Sequence, residues 1–248
     1  MKTSLAGIVL AAGKGKRMEL GNLNKVTLLL GGKSMVVHGV DLLKKLKISP
    51  IIIVVGFAKE SVKKLFPEGV IFAQQRKRLG TAHAVKTALP SLAQSTTDVL
   101  VIQGDDSAFY REVTLRDLIK LHKENKNSLT FLTIDVSNPQ GLGRIIRDKN
   151  GQVIKIVEEK DVTQEQRKMK EINPACYVFN LSFLKKYLPK VAKSPISGEY
   201  YLVSLVELAI RNKEKMGVVK GGKMMWRGVN TKEELEEAQR LYSQKIKE

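Results

Sequence analysis

A single cysteine, Cys176, in a chain of 248 residues excludes an internal disulfide and fits a reducing, cytoplasmic setting. Its plain reading is a small buried side chain on a strand. With only three histidines beside it, neither a zinc site nor a Ser-His-Asp triad has residues to build on. No uninterrupted apolar run approaches the roughly 20 residues of a membrane span. The longest, Ile51–Val55 and Val99–Ile102, are the size of buried strands. Met1–Ala12 carries one lysine before a short apolar stretch that runs into a glycine loop, so no signal peptide is expected.

Acidic residues are also short. Lys and Arg number 43 against 25 Asp and Glu, which leaves a formal charge of +18. A cation excess attracts polyanions and favours capture of nucleotide phosphates. The cations are spread over Lys44–Lys47, Lys63–Lys64, Arg76–Arg78, Lys185–Lys193 and Lys213–Lys223, with no aromatic-interleaved RNA motif among them. They read as a solvated basic surface, so neither nucleic acid nor membrane is an expected partner.

The first half alternates apolar runs with amphipathic segments. Ala6–Leu10, Ile51–Val55, Val70–Phe72 and Asp98–Gln103 read as strands; Met35–Leu46, Ala58–Phe66 and Thr81–Ala88 read as helices. Such alternation predicts an α/β, Rossmann-like three-layer fold with a mainly parallel central sheet. Ligands then bind outside the carboxyl ends of the strands, on loops beginning at Ala11, Gly56, Gln74 and Gly104. From Thr130 the pattern changes. Leu129–Val136, Gly143–Arg147, Val153–Glu158 and Ala175–Asn180 read as strands of a smaller, more antiparallel lobe, with a turn at Lys149-Asn150-Gly151. Ser182–Tyr187 and Tyr200–Asn212 read as helices, and Thr231–Ile246 as a last helix with Thr231 as N-cap and Glu234 completing a capping box. One domain is expected over 1–248, with halves at about 1–128 and 129–230 and the C-terminal helix at 231–248.

The segment LAAGKGKRM, Leu10–Met18, follows directly on the first strand. Gly13 and Gly15 let backbone N–H groups approach phosphate oxygens, and Lys14, Lys16 and Arg17 add cations. The spacing is neither that of a P-loop nor that of a dinucleotide fingerprint. Read alone, the loop supports phosphate binding and nothing finer.

This segment resembles the signature of the sugar-phosphate nucleotidyltransferases, and further short motifs continue the resemblance in the family's order over essentially the whole chain. They are Asn24-Lys25, QQRKRLGTAHA at Gln74–Ala84, Gly104-Asp105, GLGRI at Gly141–Ile145, VEEKD at Val157–Asp161, EIN at Glu171–Asn173, GEYY at Gly198–Tyr201 and GVN at Gly228–Asn230. The likeness is strongest to the uridyltransferase half of the bifunctional N-acetylglucosamine-1-phosphate enzymes. It implies a glycosyltransferase-A-like fold and in-line attack of a sugar-phosphate oxygen on a nucleotide α-phosphorus, with pyrophosphate leaving. Little proton chemistry is needed, so positioning and charge neutralisation carry the catalysis.

By the resemblance, Arg17 contacts the triphosphate and Lys25 reaches the phosphates, as the catalytic pair. Leu10, Ala11, Ala12, Gly13, Lys14, Gly15, Gln75, Gly80, Thr81, Gln103 and Gly104 bind the nucleotide. A glutamine amide such as Gln75 can pair both an imide N–H and a carbonyl of uracil. Gly143, Glu158 and Asn173 hold the sugar, in the 129–230 half. Asp105 and Asn230 hold Mg2+, a hard cation that prefers oxygen ligands. His83 is read as a helix-packing residue. The expected reaction is uridylyl transfer from UTP to N-acetylglucosamine 1-phosphate. The alternatives are another sugar 1-phosphate or nucleotide, such as glucose 1-phosphate, or a non-catalytic sugar-nucleotide-binding module.

The chain departs from the family pattern at Lys16 (usually Thr or Ser), Asn24 (proline), Gln103 (tyrosine), Asp106-Ser107-Ala108 (V-P-L) and Pro174-Ala175 (T-G). These changes touch the ribose and sugar side more than the phosphates. Asp106 is open between a second carboxylate for the metal and a plain loop aspartate. No hexapeptide-repeat segment follows the last helix, so no left-handed β-helix is expected, and the oligomeric state is open.

Overall fold

The computed structural model describes residues 4–159 and 162–247. Met1–Thr3, and Lys160 and Asp161 of the VEEKD segment, lie outside the described residues. The chain runs β1 (Ser4–Ala11), β2 (Leu29–Leu30), β3 (Lys33–Ser34), α1 (Met35–Lys45), β4 (Ile51–Val55), α2 (Lys59–Lys63), β5 (Ile71–Gln74), α3 (Thr81–Ala88) and β6 (Thr96–Gln103). It continues with α4 (Glu112–Asn125), β7 (Leu129–Asp135), β8 (Arg144–Arg147), β9 (Val153–Val157), α5 (Gln164–Arg167), β10 (Glu171–Ile172), β11 (Tyr177–Asn180), α6 (Leu181–Tyr187), α7 (Ser204–Arg211), β12 (Met216–Lys223) and α8 (Lys232–Lys247).

Among the described residues ten strands form one sheet in the order β5-β4-β1-β6-β11-β7-β10-β8-β9, with β12 beside β7. The block β5-β4-β1-β6 is parallel, as its βα connections require. From β6 onward the neighbours β11, β7, β10, β8 and β9 run antiparallel, and β12 alone returns parallel to β7. Successive side chains of β1 go to opposite faces. Val9 and Ala11 join a core with Val40, Leu43 and Leu118, whereas Ile8 and Leu10 join one with Val85, Ala88 and Leu205. A strand apolar on both faces is the mark of a sheet covered on both sides. The expected α/β three-layer arrangement is therefore present, and all four parallel strands end at one rim.

Six elements were not anticipated: the short β2, β3, α5 and β10, and the longer α4 and β12. Helix α4 carries its apolar stripe at Leu115, Leu118 and Ile119 among charged neighbours, and β12 (MGVVKGGK) has glycines where strands usually carry branched residues. Only pairing with β7 from Met216 to Lys220 makes β12 a strand. The helix expected over Tyr200–Asn212 begins only at Ser204, because Tyr200 and Leu202 spend their backbone on Leu79, Ala82 and Thr81. The segment expected as a helix over Ala58–Phe66 is helical only at Lys59–Lys63. The α8 capping box forms as expected. Glu234 N donates to Thr231 Oγ1 at 3.2 Å, and Thr231 N to Glu234 Oε2 at 3.1 Å.

Glu214 ties β7, α6 and the start of β12 together. Ser128 and Tyr187 hydroxyls donate to it at 2.7 Å each, and Lys186 at 3.0 Å. These hydrogen bonds hold its carboxyl down to about 2 against an ordinary 4.5. A depressed folded-state pKa contributes stability above the unfolded value that is lost as pH falls through the folded one. Urea unfolding is expected to show wild type losing more stability than Glu214→Gln between pH 5 and about 2. Parallel losses in the two proteins would refute the coupling.

Candidate active site

The carboxyl ends of β1, β5 and β6 open on two adjoining clefts. The first, about 510 Å³, is lined by Leu10, Ala11, Ala12, Gly13, Lys14, Gly15, Gln75, Gly80 and Thr81, with Lys16, Arg78 and Glu199. The second, about 310 Å³, is lined by Gly143, Glu158, Asn173 and Asn230 together with Asp106, Tyr177 and Trp226. Lys25, Thr81, Gln103 and Asp105 line both. Most residues expected for the nucleotide line the first cleft and those expected for the sugar line the second; Thr81 and Gln103 stand with Lys25 and Asp105 where the two meet, and Gly104 lines neither.

The junction is built by long-range contacts. Lys25 Nζ donates to Asp105 Oδ2, to Asn230 Oδ1 at 2.8 Å and to Val229 O at 2.8 Å. Lys25 stands on the turn Lys25–Thr27, which Asn24 caps by accepting from Val26 N. Asn24 is fully buried, and its Nδ2 donates to Ala11 O (2.9 Å), Phe57 O (2.8 Å) and Gly13 O (3.2 Å). Where the family pattern has a proline, an amide therefore stitches the glycine loop to the end of β4 and sets Lys25 beside it. Gly15 takes φ +60°, a left-handed conformation that favours glycine, with its Cα face against Lys25.

Asp105 and Asn230 bring a carboxylate and an amide oxygen to one point, and that point holds the Lys25 ammonium. A site where oxygens already converge on a cation fits a hard metal ion. Among the described residues no three His, Cys, Asp or Glu side chains cluster, so further oxygens for a metal would come from water or a bound phosphate. Asn230 is itself anchored, its N–H donating to Glu234 Oε2 at 2.6 Å at the start of α8.

A family model described as Nucleotidyl transferase matches residues 6–245. The chain belongs to the nucleotidyl transferase family. It is 42% identical over 211 residues to the Bifunctional protein GlmU of Caldicellulosiruptor saccharolyticus, covering 84% of this chain and 45% of that protein. It is 38% identical over 242 residues to the Bifunctional protein GlmU of Thermoanaerobacter pseudethanolicus, covering 98% and 52%. The chain thus spans about half the length of these curated relatives. Among solved structures it resembles in fold the inositol-1-phosphate CTP transferase from T. maritima, with a TM-score of 0.76, 19% identity and coverage of 99% and 97%.

Within this family frame, several residues stand differently from what motifs alone imply. Arg17 is exposed on a short turn and lines neither cleft. Gly104 is buried, lines neither cleft, and its N–H donates to Leu10 O at 3.0 Å. Asn173 donates to the Tyr177 hydroxyl at 2.6 Å and accepts from Ala175 N at 2.8 Å. With these contacts its amide orients Tyr177 beside it in the lining of the second cleft.

Asp106 is buried, and the Tyr110 hydroxyl lies 3.1 Å from its Oδ2 and 2.9 Å from Pro174 O. The carbonyl can only accept, so with the hydroxyl hydrogen on Pro174 O a protonated Asp106 would complete the pair by donating to the Tyr110 oxygen. Burial first, and then the neighbouring Asp105, push its carboxyl well above the usual range. The alternative of a second ionised carboxylate at the metal position is thereby disfavoured.

Residues the motif reading missed are Asn24 as an anchor, Tyr177, and the strap at Tyr200–Leu202. The strap lies against Gly80, where a Cβ would come within 2.4 Å of Tyr200 O at φ +99°. Its sequence signals were that glycine and the GEYY segment at Gly198–Tyr201, neither of which states what the segment packs against.

Proposed function

We propose that this chain transfers a uridylyl group from UTP to N-acetylglucosamine 1-phosphate in a Mg2+-dependent reaction, releasing pyrophosphate and forming UDP-N-acetylglucosamine. The observation that carries this reading is the pair of adjoining clefts with Lys25 and Asp105 lining both. A nucleotide in the first and a sugar phosphate in the second would bring the α-phosphorus and the attacking oxygen together at that junction. The motif resemblance to the uridyltransferase half of the bifunctional N-acetylglucosamine-1-phosphate enzymes supports the choice of uridine nucleotide and N-acetylated sugar.

The residues act mainly by placement. Backbone amides and cations of Gly13–Gly15 receive the triphosphate, and Lys25 neutralises charge that builds on the phosphoryl oxygens. Glu158 and Tyr177, both on the second cleft, offer a carboxylate and a hydroxyl to sugar hydroxyls. Asp105 and Asn230 would hold Mg2+, which when bound neutralises phosphate charge and favours pyrophosphate as the leaving group.

The deciding experiment measures pyrophosphate release by the purified protein with Mg2+ across a matrix of nucleoside triphosphates and sugar 1-phosphates. The highest kcat/KM is expected for UTP with N-acetylglucosamine 1-phosphate. A preference for glucose 1-phosphate would replace the sugar, and no release with any pair would refute the reaction class. In the same assay Arg17→Ala is expected to lower kcat by about a hundredfold or more with an unchanged melting temperature. A near-normal rate would remove this exposed arginine from the phosphate machinery.

A further inference from the structure

The polar contacts around Gln75 carry a consequence for base choice, which rests on reading the first cleft as the nucleotide site. Gln75 is 5% exposed at the end of β5 and lines that cleft. Its Nε2 lies 3.0 Å from Gly80 O and 2.9 Å from His83 Nδ1. A carbonyl oxygen can only accept, so the amide nitrogen, and not its oxygen, must face Gly80.

The same nitrogen then donates its second hydrogen to His83, whose Nδ1 is therefore the lone-pair nitrogen and whose Nε2 carries the proton. Burial first, and then the nearby Lys86, lower the His83 pKa and favour this neutral ring. Both amide hydrogens are spent. No hydrogen bond reaches Gln75 Oε1 among the described residues, so this oxygen is the atom left to meet a base.

We infer that His83 is a positioning residue that, with Gly80 O, holds Gln75 as a hydrogen-bond acceptor only, so that the cleft selects a nucleobase presenting an imide N–H. Uracil and thymine carry such a hydrogen at N3. Cytosine has a lone pair there, which would face the Gln75 oxygen. The two-way amide pairing expected from the motif is thereby narrowed to one direction. A buried acceptor left opposite another acceptor loses its partner and repels it, and such mismatches give strong discrimination.

The test uses the full chain with Mg2+ and compares wild type, His83→Leu and His83→Asn. The asparagine oxygen restores an acceptor near the place of Nδ1, whereas leucine has none. Calorimetric titration with UTP and with CTP gives the binding preference, and pyrophosphate release with N-acetylglucosamine 1-phosphate gives the ratio of kcat/KM values. Wild type is expected to prefer UTP by about tenfold or more, His83→Leu to lose about fivefold or more of that preference, and His83→Asn to keep it within about twofold. Thermal melts separate a damaged fold from an altered preference, because a purely structural loss weakens both nucleotides equally.

An unchanged preference in His83→Leu, an equal loss in His83→Asn, or no preference in wild type would each overturn the inference. Absence of turnover with every substrate pair would refute the proposed reaction, and the binding ratios would still decide the role of His83.

Discussion

Replacing Asp105 with alanine is expected to lower Mg2+-dependent pyrophosphate release by about a thousandfold or more. The side chain is one of three oxygen partners of the Lys25 ammonium and the one among them that carries a formal charge. Its loss removes that charge from the point where the two clefts meet and leaves Lys25 held only by Asn230 Oδ1 and Val229 O. The fold should survive. Asp105 ends no buried network of its own, and β6 keeps its pairing to β1 and β11 through Gln103 and Tyr177. The check is a Mg2+ titration of turnover beside a thermal melt. Asp105→Asn, which keeps the shape and drops the charge, should fall nearly as far. Rates within a few-fold of wild type, with Mg2+ stimulation intact, would show that the metal assignment is misplaced.

Asn24→Asp is expected to be the most destabilising conservative change in the site. The native amide offers its two hydrogens to the carbonyls of Ala11 and Phe57, with Gly13 O as a longer, shared contact, from a fully buried position. An aspartate of the same shape offers oxygen lone pairs instead, and its charge has no cationic partner among these contacts. Breaking a buried polar cluster in this way costs about 3–5 kcal/mol. Urea unfolding should show that loss directly. The folded fraction should also bind nucleotide more weakly, because Ala11 and Gly13 belong to the loop that lines the first cleft. Stability within about 1 kcal/mol of wild type would mean that the carbonyls find other donors, and that Asn24 is not the anchor its contacts indicate.

The parallel block was legible because its signals are local. Each of Ala6–Leu10, Ile51–Val55 and Asp98–Gln103 is an apolar run of strand length, and all three lie within observed strands. The α8 start was legible for the same reason, since Thr231 and Glu234 are three residues apart and satisfy each other's backbone. Strand β12 was not, because nothing in MGVVKGGK states that β7 lies beside it. The strap at Tyr200–Leu202 read as helix because its alternative partners, Leu79, Thr81 and Ala82, are more than a hundred residues away.

The sequence by itself determined the family, the strands of the parallel block and most of the residues gathered at their carboxyl ends, because these follow from short-range patterns and from motif order. Tertiary structure alone decided how those residues are used. Lys25 meets Asp105 across 80 residues and Asn230 across 205, so their convergence has no local signature. The same holds for the surroundings of Asp106, where the Tyr110 hydroxyl also reaches the carbonyl of Pro174, and for Asn24 in the place of a proline, whose partners at Ala11, Gly13 and Phe57 appear only once β1 and β4 are paired. A side chain's chemistry is carried by its sequence; its direction and protonation are set by the groups that folding places around it.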